Sequence, residues 1–159
     1  MFNFNDKLLE GAQAREQAVE YREQIIAVYS ELAKTLSDYL TFKVEFYESP
    51  EYESESSFSS ALLAGSAAIS VGGLGLGLGR NTEKDKTGYK LVYLRTADSK
   101  HRTGHLFKTK EPDDGYPITI KYQKTERFCY NQSELAEALS DLLSTVFFHD
   151  ELQKLKEKK

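Results

Sequence analysis

The chain has 159 residues, of which 40% are apolar, 12% aromatic and 29% charged, and its net charge is −4. That length and apolar content exclude global disorder and are enough for one hydrophobic core without structural metals or disulfides. Cys129 is the only cysteine, which excludes an internal disulfide framework and suits a reducing compartment, so a cytoplasmic location is expected. The first residues, MFNFNDKLLEGAQ, lack the basic segment and apolar run of a secretory signal.

Asn5 to about Leu40 reads as one helix. Ile25, Tyr29, Leu32, Leu36 and Tyr39 recur at alternating steps of four and three, which places them on a single stripe. Followed toward the N-terminus, the stripe meets Arg22, Ala18, Arg15 and Gly11 before it reaches Leu8. The first half is too polar to bury in the same way. It is expected to project, or to pair with a second copy as a homodimer contact, while the second half lies on the chain's own sheet.

Thr41 to Tyr47 alternates, with Phe42, Val44 and Phe46 on one side and Lys43, Glu45 and Tyr47 on the other, as a half-buried strand does. The segment that follows, ESPEYESESS, is rich in Glu and Ser, contains Pro50 and lacks periodicity, so it reads as a linker.

Phe58 to Gly79 carries no charge over 22 residues, and from Gly73 to Gly79 glycine alternates strictly with Leu74, Leu76 and Leu78. The stretch is long enough to span a bilayer, which takes about 20 residues. Its six glycines and four serines weaken any drive to insert. The other two readings are a helix-plus-strand element buried in the domain and a loop ordered by a partner. The glycines do not take the spacing of a dinucleotide fingerprint, and Gly79 is followed by Arg80 and Asn81 rather than by the Lys-Ser/Thr of a phosphate loop. No nucleotide cofactor is expected.

Beyond the turn-like NTEKDKTG, four segments read as strands: Tyr89 to Thr96, Gly104 to Lys110, Ile118 to Gln123, and Glu126 to Tyr130 after a tight Lys124-Thr125 connection. Ile118, Ile120, Tyr122, Phe128 and Tyr130 are assigned to the core face, and Thr119, Lys121, Gln123 and Arg127 to the other. Asn131 with Glu134 resembles a capping box, with Asn in the cap position, and Ser133 is the alternative cap. The helix it opens has Leu135, Leu139, Leu142 and Val146 on one stripe, flanked by Ala138 and Leu143. His149-Asp150 then marks a break, Leu152 and Leu155 add a short amphipathic turn or two, and the lysine-rich end frays.

Catalysis needs titratable groups brought together with matched pKa values, and the material for it is thin. His101 and His105 have the four-residue spacing of a helical metal pair but sit beside Gly104 in a turn-like segment, so no metal site is expected. Cys129 falls mid-strand, where a thiol is usually inert packing, and Asp113-Asp114 read as turn residues. The chain is therefore read as not an enzyme. Charge is unevenly spread: Arg80 to Arg127 holds 12 Lys and Arg against 7 Asp and Glu, net +5, leaving the remainder with 9 against 18, net −9. Interleaved with Tyr89, Tyr93, Phe107 and Tyr122, the basic residues also fit a module that stacks single-stranded nucleic acid on a sheet.

The expected molecule is one α+β domain spanning residues 1–159, with a Ser/Glu-rich linker and an apolar Gly-rich insert at about 48–80. A long N-terminal helix, an antiparallel meander of about five strands and a C-terminal helix on the sheet make up the fold. The expected function is that of a non-catalytic protein-protein interaction factor of the accessory, adaptor, inhibitor or immunity type. Leu74, Leu76, Leu78, Arg80, Lys108, Lys121 and Arg127 are its candidate contact residues. Nucleic-acid binding through segment 80–127 and membrane contact through 58–79 are the alternatives.

Overall fold

The computed structural model describes residues 2–53 and 85–159. The apolar insert, and with it Leu74, Leu76, Leu78 and Arg80, lies outside the described residues. The elements run α1 (Phe4–Leu40), β1 (Val44–Tyr52), β2 (Lys86–Thr96), β3 (Phe107–Lys110), β4 (Ile118–Tyr122), β5 (Thr125–Cys129), α2 (Gln132–Leu143) and α3 (Val146–Lys158). All five strands join one sheet in the order β1-β2-β3-β4-β5, each antiparallel to its neighbour. The fold is the expected α+β meander.

α1 is helical because it has strong helix formers throughout, no proline, and a single interior glycine, Gly11. Its buried stripe is Ile25, Leu36 and Leu40, with Tyr21, Val28, Tyr29 and Leu32 packed alongside. Tyr39, assigned to the stripe from sequence, is exposed, and Leu40 takes its place. The helix stops where Thr41 turns left-handed, at φ 66°. There the Ser37 hydroxyl accepts the Val44 N–H at 3.1 Å and ties the helix end to β1.

β1 continues through Tyr52, so Glu48 to Tyr52 is strand rather than linker. An edge strand tolerates Pro50, because on its open side no ladder hydrogen bond is lost. β3 starts at Phe107, three residues later than the sequence suggests. The Leu94 N–H is taken by the Thr103 hydroxyl at 3.1 Å, and the Gly104 N–H by Glu151, so the approach to β3 is held by side chains.

Registers assign the two faces of the sheet. Val44, Phe46, Val92, Leu94, Phe107, Ile118 and Ile120 face the helices, where the Tyr29 ring meets Phe46 edge-on at 5.6 Å. In the last hairpin Tyr122 pairs with Thr125, so the loop is Gln123-Lys124 rather than Lys124-Thr125. A two-residue loop pairs positions of opposite parity, which puts Arg127 and Cys129 opposite Ile120 and Ile118 on the helix face. Phe128 and Tyr130, assigned to the core from sequence, are correspondingly exposed, and Arg127 moves to the covered face.

Asn131 caps α2 as expected. Its Oδ1 accepts the Glu134 N–H at 3.0 Å, and Glu134 reaches back to the Tyr130 N–H at 2.8 Å. Leu135, Ala138, Leu139 and Leu142 are buried, but Val146 is exposed because α2 ends at Leu143 and a new helix begins. The break falls at Ser144-Thr145 rather than at His149-Asp150: the Thr145 hydroxyl accepts the Phe148 N–H at 3.2 Å and caps α3. Phe148, Leu152 and Leu155 then close the end of the core. The lysine-rich end stays helical through Lys158, and the Lys159 ammonium lies 4.2 Å from the Phe42 ring centre.

Candidate functional site

Every residue from Phe2 to Gln17 is exposed, so the first half of α1 stands off the domain as an arm. Residues 4–17 at 1.5 Å rise each make it about 21 Å long. The arm's side-chain hydrogen bonds and ion pairs are local, such as Lys7 to Glu10 at 2.6 Å and Gln17 to the Tyr21 hydroxyl at 2.7 Å. Its large apolar side chains have no cover among the described residues: Phe2 is 85% exposed, Phe4 69%, Leu8 70% and Leu9 65%.

The arm's apolar surface runs on toward the body. Val19 and Ile26 are also exposed, and Ile26 borders a cavity of about 450 Å³ between α1 and the helix face of the sheet. Tyr29, Ala33, Phe46 and Ile118 give it apolar walls, while Glu48 and Glu111 carry carboxylates to its rim. Glu48 is paired with Lys90 at 3.2 Å. Burial is the main reason that the Glu111 carboxyl sits above its ordinary range, and Glu48 adds to the shift. The Tyr29 hydroxyl is likewise raised, first by burial and then by Glu48. Arg22 closes one end of the cavity by donating to the Asp113 carbonyl at 3.2 Å.

Three of the candidate contact residues lie within the described residues. Lys108 and Lys121 are brought together as a cross-strand pair on the outer face, and both line a second cavity with His105 and Phe147. Lys108 is bound by Glu51, whose carboxyl it holds below the usual range. Arg127 does not join them: it faces α2, where it pairs with Asp141 and, at 3.9 Å, with Glu137.

The outer face does interleave cations and aromatics. However, Arg95 lies 4.7 Å from the Tyr47 ring centre, Arg102 4.8 Å from Tyr93, and Lys110 5.7 Å from Tyr89. These cations cover ring faces on which a base would stack. Cys129 is buried on β5, its thiol pushed up mainly by burial, while His105 sits in the exposed approach to β3.

Sequence reasoning left the α1 cavity out. Ile26 was its one legible signal, an apolar residue lying off the buried stripe. Among the described residues no helix is long and apolar enough to cross a membrane. No family model, curated protein or solved structure matches the chain.

Proposed function

We propose that this chain is a non-catalytic, cytoplasmic protein-interaction domain whose contact element is the projecting half of α1. The observation that carries the reading is the arm itself, a helical segment with Phe2, Phe4, Leu8 and Leu9 all more than half exposed. Helices in water draw most of their stability from tertiary packing of an apolar face, and the apolar side chains of this half of α1 have no such packing among the described residues. A protein surface laid against the arm supplies that packing. The carboxyls whose ionisation is lowered by ion pairs have structural work: Glu151 fastens a helix to a loop and Glu51 neutralises Lys108.

The test is in-cell photo-crosslinking with a photoreactive amino acid at position 8, against the same label at the exposed hairpin residue Lys124. A discrete protein adduct from position 8 alone is expected. Equal labelling from the two positions, or none from position 8, sinks the reading.

A further inference from the structure

Two interleaved seven-residue series run along the exposed flank of α1: Leu8, Arg15 and Arg22, and Ala12, Val19 and Ile26. All six residues are exposed. The spacing is that of a helix-pairing seam with apolar residues at four of its six positions and arginine at the other two. The series are complementary to each other when one helix is reversed. Placing Leu8 opposite Ile26 of a second copy puts Ala12 opposite Arg22 and Arg15 opposite Val19, and the symmetry returns the same contacts in the other direction.

Charge fits the same register. Arg15 has no ion pair among the described residues, and neither do Glu16 and Glu23, which lie one turn to either side of Val19. In the reversed pair, Arg15 of one copy comes against those two carboxylates of the other. Four residues beyond Leu8, Phe4 arrives opposite Ser30. Ser30 borders the α1 cavity together with Ile26, Tyr29, Ala33 and Phe46, the apolar walls of a space whose rim carries Glu48 and Glu111 and that lies in the path of an exposed phenylalanine.

We propose that the arm of one copy pairs antiparallel with the arm of a second copy, each placing Phe4 in the α1–sheet cavity of the other. This rests on the arm being a contact element and names its partner. The cavity is then completed by the second copy.

Sedimentation of the full chain and cysteine crosslinking test it. The wild type is expected at twice the 18.1 kDa chain mass. Ile26→Glu should be monomeric, and Phe4→Glu should weaken the dimer at least about tenfold. Both positions are exposed within one chain, so neither change removes a core contact. Under mild oxidation the double variant Leu8→Cys/Ile26→Cys should form a covalent dimer. Leu8→Cys alone should not, because antiparallel pairing leaves the two position-8 residues about 27 Å apart along the axis. Cys129 is buried and stays silent.

A monomer at all concentrations overturns the proposal, as does a covalent dimer from Leu8→Cys alone, which signals a parallel pair. A monomer whose position 8 still crosslinks a different protein in cells overturns only the second-copy partner and leaves the docking arm standing.

Discussion

The carboxylate of Glu151 on α3 accepts the backbone N–H of Gly104 at 2.8 Å and holds the last helix against the loop that enters β3. The other carboxylate oxygen takes Lys154 at 2.7 Å, and Glu151 is buried. Lys154 first, and the Gly104 N–H after burial is offset, hold this carboxyl below its reference value of 4.5. A depressed carboxyl contributes stability that is fully present above the unfolded pKa and is lost as pH falls through the folded one. Glu151→Gln should therefore lower stability at pH 7 by about 1–3 kcal/mol and flatten the loss that the wild type shows below about pH 4.5. Urea denaturation at pH 7 and pH 3.5 checks both; an unchanged acid limb in Glu151→Gln would remove this bond from the account.

The register of the last hairpin separates two adjacent residues. Phe128 faces solvent, and Phe128→Lys should change stability by less than about 0.5 kcal/mol. Cys129 is 1% exposed, so Cys129→Lys buries an unpaired charge and should unfold the domain or cost more than about 3 kcal/mol. Thermal melts of the two variants decide the assignment, and the reverse ranking would contradict it.

Phe148 fills the end of the core with 1% exposure. Phe148→Ala should cost about 3–5 kcal/mol through lost burial and the cavity left behind. A loss below about 1 kcal/mol in chemical denaturation would mean that α3 is not docked as described.

At the α1 cavity, the raised ionisation of Tyr29 gives the opposite pH dependence to that of Glu151. Its stabilisation is complete below the unfolded value of 10.0 and is lost as pH climbs from there toward the folded value. Tyr29→Phe should remain more stable than the wild type is at pH 11, relative to each protein at pH 8. Parallel declines in the two proteins would assign the alkaline sensitivity to other groups.

Local pattern carried much of this fold. The three-four spacing from Ile25 to Leu36 marked α1, Asn131 with Glu134 marked the start of α2, and the β-branched and aromatic run from Tyr89 to Thr96 marked β2. What failed were decisions that depend on pairing. Alternation says that Phe128 and Cys129 face opposite ways. Any two-residue turn, Lys124-Thr125 as much as Gln123-Lys124, pairs even with odd positions, so setting Phe128 beside Ile118 and Ile120 does not follow from the turn read in the sequence. Val146 fits the α2 stripe by spacing, yet the Thr145 hydroxyl starts another helix and removes it from that stripe.

The candidate site divides along the same line. Sequence alone determined that the first half of α1 is too polar to bury like the second, since its stripe passes through Arg15 and Gly11. It also brought forward Lys108, Lys121 and Arg127 by charge. Only the tertiary structure decided that Lys108 and Lys121 are neighbours while Arg127 turns to Asp141, because strand register sets which side chains share a face. Only the tertiary structure, likewise, placed Ile26, Phe46 and Ile118 around one cavity. Composition and periodicity fix which residues seek burial; a concave surface exists only where elements distant in sequence fail to close completely on one another.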